Sequence, residues 1–164
     1  MLGTNIPTDY YGLSKYIIAK RIVDANTNIV NRRVFAVFDE YEKESRFIKS
    51  CIKNYIAKQP MEITQNMMLD FFYIEDLGHL VNIEAILGNN FKDVNMVYTK
   101  KYSLLDVANI INTLKSYKVD IIIKKDGMAN SYTGNSRILQ REGICLIGLE
   151  RGIELTYENI RKLL

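Results

Sequence analysis

The chain has 164 residues, 48% of them hydrophobic and 25% charged, which is enough to bury one domain-sized core and too apolar for a disordered chain. Its formal net charge of +3 is spread over 22 basic and 19 acidic residues, with no arginine-rich arm and no basic run interleaved with aromatics, which disfavours nucleic-acid binding. No apolar run approaches the ~20 residues of a membrane span, "MLGTNIPTDYY" is not a signal peptide, and Cys51 and Cys145 lack any metal-binding spacing, so both read as buried thiols of a cytoplasmic protein.

The elements alternate along the chain. Residues 9 to 24 read as a helix that Thr8 or Asp9 can cap, with Tyr16, Ile17, Ile22 and Val23 as its apolar positions. "RRVFAVF" (Arg32–Phe38) is a short run of strand formers. "SRFIKSCIKNYIAK" (Ser45–Lys58) places Phe47, Cys51, Ile52, Tyr55 and Ile56 at helical spacing and stops before Pro60. "MEIT" (Met61–Thr64) predicts a strand, Gln65-Asn66 a turn, and "LDFFYI" (Leu69–Ile74) a second strand. Glu75 and Asp76 then open a helix through Leu87 that "GNN" ends. "VNMVYT" (Val94–Thr99) predicts a strand, Ser103 caps a helix to about Leu114, and "KVDIIIKK" (Lys118–Lys125) predicts the last strand. "DGMANSYTGN" reads as a loop, and helices near Ser136–Gln140 and over Leu149–Leu164 close the chain. Alternation of this kind predicts an α/β fold, with no repeat and no linker, hence one folding unit.

Two residue sets carry chemistry. His79 is the only histidine, so a metal centre or a Ser-His-Asp triad has little support; its place in a helical pattern makes it structural, and no metal site is expected. Tyr11 and Lys15 stand one helical turn apart. With 11 tyrosines, roughly one such Y-x-x-x-K pair arises by chance, and Tyr16 with Lys20 forms a second. The context separates them. Tyr11 lies in the first turn beside Gly12 and near Ser14, small residues that let a ligand approach the backbone, whereas Tyr16 precedes "IIA" and reads as packing. A lysine one turn away and a helix N-terminus both favour a phenolate, which suits a tyrosine that passes a proton to or from an oxygen.

The string "PTDYYGLSKY" closely resembles the active-site helix of extended short-chain dehydrogenases/reductases, the NAD(P)-dependent nucleotide-sugar epimerases, dehydratases and reductases. The resemblance continues in order: "NRRVFAVFDEYE" is similar to the strand after that helix, "SRFIKSCIKNYIAKQPMEIT" to the first helix and strand of the substrate-binding part, and "LDFFYIEDLGHLV" to the family's "R-D-F-x-Y-V-x-D" strand and helix. "SLLDVANII" and "LERGIELTYE" resemble its late helices. The resemblance implies Tyr11 as general acid/base and Lys15 as the residue that holds the nicotinamide ribose and favours the phenolate. It implies Val37 and Phe38 beside the nicotinamide, and a nucleotide sugar between the "FFYIEDL" segment with Tyr73 and the "SYTGNSR" segment, where Arg137 meets a phosphate. NAD or NADP is the implied cofactor.

The departures from the family pattern are equally specific. No G-x-x-G-x-x-G unit stands in the sequence to hold a pyrophosphate. The only threonines before Tyr11, Thr4 and Thr8, are too close in sequence to serve as the family's upstream hydroxyl. Asp39 replaces the strand-end glycine, and Leu69 stands where many members have arginine. The expectation is therefore the C-terminal part of such an enzyme, with lost sheet strands: residues 1 to about 44 hold the catalytic helix and the end of the Rossmann-type sheet, and about 45–164 mainly the substrate-binding region. The first helix and following strand then expose apolar surface, which predicts self-association or an N-terminal partner chain. The alternative is a non-catalytic remnant that acts as an interaction module.

Overall fold

The structure, a computed structural model, describes residues 6–25, 29–87, 93–137 and 144–164. The described elements are α1 (Tyr10–Asp24), β1 (Asn31–Val34), β2 (Ala36–Phe38), α2 (Phe47–Ile56), β3 (Met61–Asn66), β4 (Phe71–Tyr73), α3 (Ile74–Leu87), β5 (Asp93–Met96), α4 (Leu104–Ile111), β6 (Ile121–Met128) and α5 (Leu149–Leu163). All three strand pairs are parallel: β1 with β5, β2 with β4 and β3 with β6. This is the expected α/β class, since parallel neighbours need a crossover connection between them.

The expected strand Arg32–Phe38 is two strands. β1 pairs Val34 with Met96, β2 pairs Ala36 with Phe71, and Phe35 stands between them. A run of strand formers cannot show such a break, because the change of partner comes from segments far along the chain. Gln65-Asn66 is not a turn either. β3 continues through it and pairs Gln65 with Lys125 and Asn66 with Met128 across an irregular step, which also carries β6 past the expected start of its loop. Ile74 opens α3 rather than closing β4. The "GNN" stop after Leu87, and residues 138–140 of the helix expected at Ser136–Gln140, fall outside those described.

Local chemistry accounts for most of the helix limits. Ser103 and Asp106 form a reciprocal capping box at α4. α2 ends in a left-handed residue, Lys58 with φ 55°, while Lys58 N donates to Tyr55 O at 3.1 Å and Gln59 N to Asn54 O at 2.8 Å. Pro60 follows and blocks continuation.

The main core gathers Ile48, Ile52 and Tyr55 of α2, Met61 and Ile63 of β3, Val107 and Ile111 of α4, and Ile153 and Tyr157 of α5 around Phe38 and Tyr73. In β3 the buried Met61 and Ile63 alternate with the exposed Glu62 and Thr64, the period of a half-buried strand. Each such side chain contributes roughly 1.5–3 kcal/mol of burial. A smaller cluster of Phe72, Leu80, Val94 and Met96 joins β4, α3 and β5. Cys51 is buried as expected, but Cys145 is exposed: Ile144 and Leu146 on either side of it pack against the smaller cluster, which leaves the thiol between them facing out.

Candidate functional site

Asp9, in extended conformation, caps α1: its Oδ1 accepts from Gly12 N at 2.7 Å. That fixes Tyr11 in the first turn and Lys15 one turn on, with the Lys15 ammonium 5.5 Å from the centre of the Tyr11 ring. The Ser14 hydroxyl donates to the Tyr11 carbonyl at 2.8 Å, so it points back along its own helix. Tyr11 is 75% exposed. Gly12 has a local reason to be glycine beside any role in ligand access: a Cβ there would stand 2.8 Å from both Asp9 Oδ2 and Pro7 Cβ.

α1 buries only Ala19. Ile17 and Ile18 on the helix and Ile29 and Val34 after it are all exposed, so the apolar surface expected for this region is present. Tyr16 of the second Tyr–Lys pair is half-buried and Lys20 exposed.

Of the remaining expected site residues, Val37 and Phe38 lie in β2 and Tyr73 in β4. Phe38 and Tyr73 are each 1% exposed, their rings 5.4 Å apart. Both side chains face the core, where Gly152 of α5 comes so close that a Cβ would stand 3.0 Å from Phe38 Cζ. Burial, reinforced by Glu75, pushes the Tyr73 phenol up to about 12, so it stays protonated at neutral pH. Val37 is half-buried and pairs with Phe72. Arg137 is exposed, and its backbone N donates to Asn135 Oδ1 at 2.9 Å.

The "SYTGNSR" segment meets the residues just before "FFYIEDL". Tyr132 N donates to Met68 O at 2.8 Å, Asp70 N donates to Tyr132 O at 3.2 Å, and Tyr132 packs edge-on against Phe35. Asp70 is the buried anchor of this junction. Its Oδ1 and Oδ2 accept from the Lys101 ammonium at 2.9 and 2.8 Å, and Oδ2 accepts from Gly134 N at 2.7 Å. Gly134 lies so close to Phe35 that a Cβ would meet its ring at 2.7 Å. A second buried carboxylate, Asp76, accepts from the Tyr98 hydroxyl at 2.5 Å and from the backbone N of Ile147 at 2.7 Å and Gly148 at 3.0 Å. Burial and this hydrogen bond push the Tyr98 phenol well above its ordinary value and keep it a donor.

Sequence reading missed the roles of Asp70, Asp76, Tyr98 and Lys101. Two aspartates beside the apolar run "FFYI" were the available signal, because a buried charge needs a partner; the partners themselves lie more than twenty residues away.

Two of the larger hollows lie elsewhere on the surface. One of about 700 Å³ between α4 and α5 is lined by Asn109, Thr113, Glu150 and Arg151. One of about 550 Å³ beside α3 is lined by Glu75, His79, Asn82 and Cys145. Neither includes Tyr11 or Lys15. Among the described residues no group of three or more histidine, cysteine or acidic side chains is placed to hold a metal ion, and no helix is long and apolar enough to cross a membrane.

Three strand-to-helix junctions contain no glycine: β2 to α2 runs through Asp39–Arg46, β4 passes directly into α3, and β5 to α4 runs through Val97–Ser103; the described residues between β6 and α5 include Gly134 and Gly148, which do not stand in a G-x-x-G-x-x-G pattern.

No protein-family model matches this sequence, and no curated protein matches it. Solved structures do. A tyrosine-to-phenylalanine mutant of UDP-glucuronic acid 4-epimerase from Bacillus cereus, in complex with UDP-4-deoxy-4-fluoro-glucuronic acid and NAD, superposes with a TM-score of 0.71 at 19% identity, over 97% of this chain and 55% of that one. UDP-glucose 4-epimerase of Thermus thermophilus, in complex with NAD, gives 0.71 at 10% identity over 94% and 54%. An NAD-dependent NDP-hexosamine 5,6-dehydratase of tunicamycin biosynthesis gives 0.63 at 20% identity over 90% and 50%. The chain thus has the fold of part of these two epimerases and this dehydratase, and it spans about half the length of these solved chains.

Proposed function

We propose that this chain supplies the catalytic helix and the substrate-binding portion of an NAD(P)-dependent nucleotide-sugar epimerase, dehydratase or reductase. The observation that carries the reading is α1: an Asp9-capped helix that holds Tyr11 exposed in its first turn with the Lys15 ammonium 5.5 Å from the ring, in a chain with the fold of part of such enzymes. Tyr11 is the proton-transfer group, its hydroxyl open to a sugar oxygen. Lys15 places positive charge beside the phenol and can donate to ribose hydroxyls. The substrate lies against the junction that Asp70 holds between β4 and residues 132–134, with Arg137 nearby in sequence to take a phosphate.

These 164 residues contain no G-x-x-G-x-x-G turn, so by themselves they do not hold NAD(P) tightly, and the cofactor site needs a βαβ unit from outside them, in the same polypeptide or in another. The test is calorimetry of NAD(H) and of UDP- and dTDP-sugars on the purified chain, alone and mixed with a polypeptide carrying a G-x-x-G-x-x-G βαβ unit. The expected result is no tight NAD(H) binding alone, and turnover in the mixture that falls roughly 10²–10⁴-fold in Tyr11→Phe. Tight NAD(H) binding by the chain alone would overturn the incomplete-site reading.

The exposed apolar surface of α1 also supports a second reading, a non-catalytic interaction module. It is favoured if the mixture forms a stable complex and shows no turnover with any nucleotide sugar.

A further inference from the structure

The segment between β2 and α2 carries four acidic side chains in six residues, Asp39, Glu40, Glu42 and Glu44. Three are visibly employed. Asp39 Oδ1 accepts from Tyr41 N at 2.8 Å. Glu40 Oε1 accepts from the Asn159 side chain of α5 at 3.0 Å. Glu44 is shared between the ammonium groups of Lys49 at 3.1 Å and Lys53 at 2.6 Å.

Glu42 is different. Its side chain is 11% exposed, and its Oε1 is the one buried side-chain oxygen or nitrogen among the described residues with no hydrogen-bond partner. The nearest cation, Arg46 Nε, is 3.6 Å from Oε2, beyond hydrogen-bond length, and the Arg46 side chain is half exposed. Lys49 cannot serve, because its ammonium donates to the backbone carbonyl of Glu42 at 2.7 Å and to Glu44. Asp39 adds a repelling charge. The charged groups that face the carboxyl are thus Arg46, Lys49 and Asp39, with Glu44 behind Lys49: Arg46 forms an ion pair with Oε2 at 3.6 Å, the Lys49 backbone N–H also favours the charged form, and Oε1 alone has no partner.

A buried carboxylate oxygen with no donor is costly, and the group relieves that cost by keeping its proton. We infer that Glu42 is a proton-operated latch: neutral, it lets the Asp39–Arg46 segment close on α2, and ionised, it drives that segment open to water. The proton passes to solvent, and no other bond changes. Burial, the largest cause, pushes this carboxyl up to about 7, against smaller opposing effects of Lys49 and Arg46, which puts the transition near neutrality. The sign is the reverse of an ordinary salt-bridged glutamate. The folded state holds the proton more tightly than the unfolded chain, so the contribution is complete below pH 4.5 and is lost as pH rises through about 7. The latch stands on this segment's own packing and does not depend on the enzymatic reading.

The test is amide hydrogen exchange of residues 39–46 in the full chain at pH 6 and pH 8, corrected for intrinsic exchange, for the unmodified protein and Glu42→Gln. Protection of this segment is expected to fall about tenfold between the two pH values in the unmodified protein and to stay constant in Glu42→Gln. Equal pH dependence in both proteins, or none in the unmodified one, would overturn the inference. Should the variant fail to fold, the carboxyl carbon of Glu42 is titrated by NMR in the unmodified protein: a midpoint near 7 supports the latch, and one near 4.5 removes it.

Discussion

Asp76 holds Gly148 across the chain: a carboxylate in the first turn of α3 accepts from the backbone N–H that opens α5, at 3.0 Å. The same side chain takes Ile147 N and the Tyr98 hydroxyl, and Tyr98 in turn accepts from Tyr73 N at 3.1 Å. One buried acid therefore ties together the end of β4, the residues after β5 and the entry to α5. Gly148 has φ 86° and no side chain with which to cap α5, so Asp76 does part of the work a helix cap would do.

Removing that acid leaves three donors unmet. Asp76→Ala is expected to destabilise the fold by about 2–4 kcal/mol, since each buried donor stranded costs of order 1–3 kcal/mol and some regain water. Tyr98→Phe, which strands only Tyr73 N, should lose about half as much. Paired urea melts decide this, and equal losses in the two variants would show that the Ile147 and Gly148 bonds contribute nothing.

Two helical glycines should answer the same substitution with opposite signs. At Gly152 a Cβ would stand 2.8 Å from Tyr73 Cγ and 3.0 Å from Phe38 Cζ. Gly152→Ala should therefore destabilise by about 1–2 kcal/mol, overpacking outweighing the gain of about 1 kcal/mol in helix propensity. At Gly78 on α3 a Cβ meets nothing within 4 Å, and Gly78→Ala should stabilise by about 0.5–1 kcal/mol. Thermal melts of the two variants give the comparison.

The two thiols should separate in reactivity. Burial pushes Cys51 up to about 12, whereas Cys145 is exposed. A disulfide reagent at pH 8 is expected to label Cys145 within minutes and Cys51 only after denaturation. Mass spectrometry of the labelled peptides reads this directly, and early labelling of Cys51 would mean that α2 opens in the native state.

What the residues themselves determined was everything that depends on neighbours within about one helical turn or one strand repeat. The Asp9 cap, the Ser103 cap, the stop at Pro60 and the Tyr11–Lys15 spacing are local, and each was legible because capping, ring geometry and helical period act over three or four residues. The alternation of strands and helices followed from the same patterns, whereas the exposed apolar surface of α1, with Ile17 and Ile18, was expected only from the resemblance. What only the tertiary structure decided was every feature set by a partner far along the chain. The break at Phe35 exists because β1 and β2 choose different strands. Cys145 is exposed because Ile144 and Leu146 turn to a cluster built by β4, α3 and β5. Asp70 and Asp76 became anchors because Lys101, Gly134, Tyr98 and Gly148 arrive beside them. Burial turns a carboxylate from a solvated surface group into one that must find donors, and which donors it finds depends on how distant segments pack, which no local pattern encodes.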